Sequence, residues 1–179
     1  MKIREAVLAD ARNIAYVHVI TWQKTYHHIL PKEMLSKLTY RNRENIWKKN
    51  ILRTNNHVWV IENNEGQIIG FADTSKREKM AHKNTYNLTS IYILPNYHGR
   101  GWGKKLLHEI FKFYKEQQVE EVYVGVLKGN PAVHFYEHLG ATKVKTVSID
   151  FAGELIDEVI YRWDDVETVL KKVSVISES

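Results

Sequence analysis

The sequence predicts a single-domain α/β protein: a mixed, mostly antiparallel twisted sheet flanked by helices. Three observations carry this. The expected elements run as helices, an antiparallel meander, a strand–helix–strand–helix passage and a closing hairpin. The chain has 179 residues, 44% hydrophobic and 26% charged, which suits one domain with a substantial mixed core. No internal repeat and no domain-scale linker interrupts it.

Each element has its own signal. Alternation around Ile3 opens the chain, and Asp10 is placed to cap or turn into a helix. Ile14, Ala15, Val17, His18 and Ile20 give a helix from Ala11 to about Trp22 its apolar face. Trp22 and Tyr26 follow in a segment closed by Pro31. One or two helices are expected between Lys32 and Arg53, with Met34, Leu35, Leu38, Ile46, Trp47 and Ile51 as buried candidates. His57 to Ile61 reads as a strand, and Asn63-Asn64-Glu65-Gly66 turns it into a partner from Gln67 to Thr74. The polar stretch from Ser75 to Asn84 is the best candidate for a mobile loop before the strand Thr85 to Leu94. A glycine-rich turn leads into a helix from about Gly101 to Gln118. Then come a strand from Val119 to Leu127, a short helix from Pro131 to Leu139 ended by Gly140, and a hairpin of Ala141 to Phe151 with Leu155 to Trp163 around Ala152-Gly153. The polar end from Lys171 is expected to fray, with Val169, Leu170 and Val173 able to pack.

Composition excludes several classes. There are no cysteines, hence no disulfide, thiolate catalysis or thiolate metal site. Nine histidines show no HExxH and no convincing ligand spacing, so no metal is expected. The net charge of +5 is dispersed, with no basic run longer than two, which argues against nucleic-acid binding. The charged start Met1-Lys2-Ile3-Arg4-Glu5 is unlike a signal peptide, and no stretch reaches the length of a membrane span. The expectation is a cytoplasmic protein with no membrane partner.

The most informative segment is Ile91-Tyr92-Ile93-Leu94-Pro95-Asn96-Tyr97-His98-Gly99-Arg100-Gly101-Trp102-Gly103-Lys104-Lys105. A strand stops at Pro95, three glycines alternate, and a helix begins. Glycines allow close approach to backbone amides, and the first helical turn offers unpaired N–H groups with a favourable dipole. Together they form a nest for a phosphate or pyrophosphate, with Arg100, Lys104 and Lys105 adding charge. A tight turn with basic surface residues is the bland alternative. Neither GxxxxGK[ST] nor GxGxxG is present.

The stretch His98 to Gly103 resembles the Gln/Arg-x-x-Gly-x-Gly/Ala signature of the GCN5-related N-acetyltransferase superfamily, with His98 where that family has Gln or Arg. Gly129-Asn130-Pro131-Ala132-Val133-His134-Phe135-Tyr136-Glu137-His138-Leu139-Gly140-Ala141 is similar to its second signature. The resemblance runs from about Ile3 to Trp163 and implies an N-acetyltransferase domain over 1–165, with 166–179 as a tail.

It also implies acetyl-CoA as cosubstrate and transfer of its acetyl group to a primary amine by direct attack. The pyrophosphate would meet His98, Gly99, Arg100, Gly101, Trp102, Gly103 and Lys104; the pantetheine arm would meet Ile91, Tyr92, Ile93 and Asn130. Tyr136 would be the general acid toward the departing thiolate, since a phenol is protonated at neutral pH. A backbone N–H near Tyr92 or Ile93 would face the thioester oxygen. Trp22 and Tyr26 would border the acceptor, and Asn130 would equally cap the helix after Pro131. Many relatives have a glutamate base where Asn87 stands; Glu121, Asp73 and His82 are the substitutes near strand ends. The acceptor is a small-molecule, peptide or protein amine, and homodimers are a habit of relatives. The competing reading is a non-catalytic CoA-binding or regulatory module on the same fold.

Overall fold

The computed structural model describes residues 1–77, 83–151 and 153–174. The strands are β1 (Lys2–Glu5), β2 (Asn56–Glu62), β3 (Ile68–Lys76), β4 (Thr85–Ile93), β5 (Glu121–Leu127), β6 (Thr142–Phe151) and β7 (Glu154–Trp163). The helices are α1 (Ala11–Thr25), α2 (Lys32–Ser36), α3 (Tyr40–Ile51), α4 (Trp102–Glu116), α5 (Ala132–His138) and α6 (Val166–Ser174). The strands form one sheet in the order β1-β2-β3-β4-β5-β7-β6. Every pairing is antiparallel except β4 with β5, which α4 connects as a crossover.

Helices cover both faces because both faces of the strands carry apolar side chains. On one side, α4 buries Leu106, Leu107, Ile110, Phe111 and Tyr114, the spacing of a single helical stripe, against Ile61, Ile69, Leu88, Val122 and Val124. On the other, Ile14, Ala15 and Val17 of α1 and Trp47 of α3 pack on Val58, Val60 and Phe71. A third cluster joins Tyr26, Leu30, Leu35 and Leu38 to Leu127 of β5. Met34, Leu35, Leu38 and Trp47 are thus buried as expected. Ile46 is 40% exposed, because Trp47, one residue on, carries α3's inward face.

Part of the expected tail is helical and packs, as the apolar Val169 and Val173 allowed, and residues 175–179 lie outside the described residues. Val166–Ser174 forms α6, which buries Val166, Val169 and Val173 and packs against α4. Three valines at helical spacing outweigh the polar residues between them, so this segment belongs to the domain's core. Part of the predicted loop, 78–82, and Ala152 of the final turn lie outside the described residues.

Two features of β4 open the middle of the sheet. It pairs with β5 only through Thr85–Leu88 against Glu121–Val124. Farther along, Ile91–Ile93 stay paired with β3 while Gly125–Leu127 stay paired with β7. A bulge marks the parting point: Asp73 faces Ser90 while Thr74 faces Leu88, leaving Thr89 as the extra residue.

Candidate active site

The parted strands leave a groove of about 1020 Å³. Its walls are β4 from Thr89 to Ile93, Val124–Val126 of β5, the last turn of α1 (Thr21, Lys24, Thr25 and the following Tyr26), the loop and first turn of α4 from His98 to Lys104, and Asn130, Phe135 and Tyr136. Inside it the groove-facing edge of β4 has no partner strand among the described residues. Leu94 N–H donates to the Ile69 carbonyl at 2.9 Å, so strand alternation directs the Tyr92 N–H toward β3 as well and turns those of Ile91 and Ile93 into the groove. Of the two residues expected to offer a backbone donor, Ile93 turns its N–H into the groove and Tyr92 does not.

At one end lies the N-terminus of α4. Gly99 and Gly101 have φ of +72° and +75°, the left-handed conformation that glycine adopts without strain. The first helical bond is Lys105 N–H to the Gly101 carbonyl at 3.1 Å, so Trp102, Gly103 and Lys104 offer amides without intrahelical acceptors. Among the described residues no carboxylate pairs with Arg100, Lys104 or Lys105; Arg100 lies over Tyr97 and Lys105 over Trp102. His98 closes the loop by donating from Nε2 to the Ile93 carbonyl at 2.7 Å, which shows how a histidine is accommodated there.

At the other end is a cluster of phenols. Asn130 donates from Nδ2 to the Tyr26 hydroxyl at 3.0 Å and accepts the Ala132 N–H on Oδ1 at 2.9 Å, so it caps α5 and positions Tyr26 together. The Tyr26 and Tyr92 hydroxyls lie 3.4 Å apart. Burial pushes the Tyr26 phenol up, its hydrogen bonds with Tyr92 and Asn130 oppose this, and the nearby Glu158 carboxylate adds to it. Tyr136 stands edge-on to Trp163, and its hydroxyl has no hydrogen-bond partner among the described residues. Burial, then the neighbouring Tyr26, raises its phenol, so it holds its proton throughout the neutral range.

This arrangement matches known proteins. Residues 18–141 match the model of the Acetyltransferase (GNAT) family. The chain belongs to that family. An uncharacterized N-acetyltransferase, YuaI of Bacillus subtilis, is 30% identical over 167 residues, covering 93% of this chain and 95% of YuaI. Among solved structures, the YncA putative acetyltransferase of Salmonella typhimurium with its cofactor acetyl-CoA superposes with a TM-score of 0.68 at 22% identity, over 92% of this chain and 93% of that one. The ribosomal-protein-alanine N-acetyltransferase of Brucella melitensis does so with a TM-score of 0.72 at 24% identity, over 92% and 100%. Membership of the GNAT family assigns acetyl transfer to an amine acceptor as the general activity.

The GNAT fold gathers the two sequence blocks, 35 residues apart from Gly101 to Tyr136, onto one groove. Tyr26 lines it, whereas Trp22 packs against Tyr26 with ring centroids 4.7 Å apart and is not among the lining residues. The substitute bases are elsewhere. Glu121 is held by Lys83 at 2.6 Å and by the Tyr123 hydroxyl at 2.8 Å, where β4 and β5 are still paired. Asp73 is 2% exposed and accepts a hydrogen bond from the Ser90 hydroxyl. His82 lies outside the described residues. Asn87 accepts from Arg77 at 3.1 Å. Sequence reasoning missed the bulge at Thr89 and the pair Gly125 with Glu158. A glycine inside an otherwise apolar strand was the available signal for the latter, since it marks a close approach.

Proposed function

We propose that this GNAT protein transfers the acetyl group of acetyl-CoA to a primary amine by direct attack, with Tyr136 as general acid. One observation carries the reading: a partnerless phenol and an open helix N-terminus line the same groove, joined by an unpaired strand edge. The residues fit the cosubstrate chemically. The amides of Trp102, Gly103 and Lys104, with Arg100 and Lys104 side chains, would hold the pyrophosphate. Ile91 presents its N–H and carbonyl, and Ile93 its N–H, to an amide-bearing pantetheine arm, as an added strand would pair. Acetyl-CoA supplies the activated acyl group.

The chain's own groups then divide the work. An N–H of Ile93 or Ile91 opposes negative charge growing on the thioester oxygen. Tyr136 gives its proton to the sulfur as the carbon–sulfur bond breaks; its raised phenol keeps that proton until a strong base develops beside it. Tyr26 borders the acceptor, with Trp22 packed against it as support. The likeness to the Brucella protein, named for ribosomal-protein alanine, sets peptide α-amines beside small amines as acceptors.

The test is thiol release from acetyl-CoA by the purified protein with spermidine, tyramine and an alanine-headed tetrapeptide, with Tyr136→Phe in parallel. Amine-dependent release that falls ~100-fold in the variant is expected. Equal rates would remove Tyr136 from the mechanism. Saturable acetyl-CoA binding without release to any amine would favour the binding module instead.

A further inference from the structure

We infer that Glu158 is the base that removes the proton from the acceptor amine, reaching it through the gap that Gly125 leaves in β5. This rests on the groove being the place of acyl transfer. That mechanism needs a base, and the acids near the groove are otherwise engaged. Glu121 is bound by Lys83 and Tyr123, Asp157 by Lys128 and Ser148, and Glu137 by the Tyr161 hydroxyl. Asp73 lies beneath Ser90 in the core. Glu158 has neither a hydrogen bond nor an ion pair among the described residues, although it is half-buried.

Its position follows from register. Glu158 stands opposite Leu127 of β5 and Val147 of β6, on the sheet face that carries Tyr26. Gly125 is two residues before Leu127, so it shares that face. The Glu158 side chain leans over it: a methyl group added at Gly125 would lie 2.6 Å from Glu158 Cδ and nearer still to Oε1. Any side chain at position 125 would evict the carboxylate. Gly125 itself lines the groove, and the Glu158 charge is close enough to act on the Tyr26 phenol. The other ionisable groups on this face include Tyr123 of β5 with Arg77 over its ring, Lys145 of β6 opposite Ile160, and Arg162 of β7, which is drawn toward Glu121 and Asp164. Tyr92 of β4 and, from the helices packed on the face, His18 and Arg43 complete the set. Burial raises the Glu158 carboxyl, which makes its anion a better base near neutrality.

The step balances without another reactant. One ammonium proton passes to the Glu158 carboxylate, and the freed nitrogen lone pair forms the bond to the acetyl carbon. The carbon–sulfur bond breaks with its electron pair on sulfur, which takes the Tyr136 proton. A second nitrogen proton, shed as the intermediate collapses, restores the phenol, and Glu158 releases the first to water.

The experiment measures kcat/KM against pH with whichever of spermidine, tyramine or the alanine-headed tetrapeptide the unaltered protein acetylates best. Glu158→Gln should lose ~100-fold near neutral pH and have the acidic limb of the profile moved up to the amine's own pKa, so that the deficit shrinks as that pH is approached. Gly125→Ala should reproduce that loss by displacing the carboxylate, and the double variant should fall no further. Acetyl-CoA binding should be unchanged in Glu158→Gln. Independently of turnover, carbon-13 labelling of glutamate carboxyls should show one resonance titrating above the ordinary range, absent in Glu158→Gln and shifted in Gly125→Ala. An acidic limb left at the same pH in Glu158→Gln as in the unaltered protein, or no such resonance, overturns the role of Glu158 while leaving transfer intact. No transfer by the unaltered protein to any amine overturns both readings.

Discussion

Replacing Asp73 by Asn should make the protein more stable as pH rises, while leaving acetyl transfer in place. Asp73 is 2% exposed, and its one polar contact among the described residues is the hydroxyl of Ser90 beside the β4 bulge. Burial outweighs that hydrogen bond and pushes the carboxyl from its ordinary 3.8 up to about 7. An acid raised in this way favours folding while protonated. Its contribution is lost as pH climbs from the unfolded-state value through the folded one. Each pH unit of displacement corresponds to ~1.4 kcal/mol, so the ionised form costs roughly 4 kcal/mol more in the fold than in the unfolded chain. About two of those units lie above pH 5, so the variant should gain roughly 3 kcal/mol on the native protein between pH 5 and pH 8. Asn keeps an oxygen to accept from Ser90, so the bulge survives. Urea unfolding followed by tryptophan fluorescence at both pH values measures the difference directly. A stability difference that is the same at pH 5 and pH 8 would refute the reasoning, and loss of acetyl transfer would make Asp73 part of the chemistry.

Three further outcomes are expected. Tyr136→Phe should leave the thermal midpoint nearly unchanged, because the hydroxyl it removes has no partner among the described residues; a large drop in calorimetry would show a structural bond instead. Gly101→Val forces a β-branched residue into φ of +75° at the start of α4, at a cost of roughly 1–2 kcal/mol or more, and should weaken acetyl-CoA binding by titration calorimetry. Gly103→Ala, whose added methyl meets only an ordinary 3.5 Å contact with Phe135, should bind almost normally and serves as the contrast. Truncation after Asp165 removes three buried valines, each worth ~1.5 kcal/mol or more, and should lower stability by roughly 5 kcal/mol in denaturant unfolding. An unchanged midpoint would mean that α6 is a spectator.

What the amino-acid sequence determined alone was everything encoded by neighbours along the chain. The stripe of Leu106, Leu107, Ile110, Phe111 and Tyr114 is a helix face in any setting, and Gly99 and Gly101 announce a left-handed turn before it. The same holds for the β2–β3 turn, where Asn63 Oδ1 accepts from the Glu65 and Gln67 amides. These local signals placed most elements; it was the resemblance to the GNAT family that implied a common site for His98 to Lys104, Asn130, Tyr26 and Tyr136. Only the tertiary structure decided how the site is made. The parting of β4 from β5 depends on two neighbours, β3 and β7, each holding its own strand after the direct pairing stops at Leu88 and Val124. The packing of α6, which begins at Val166, depends on α4, which ends at Glu116, fifty residues earlier. Glu158 meets Gly125 because register between distant strands is set by the burial of a whole sheet face, a sum over many contacts that no stretch of sequence contains.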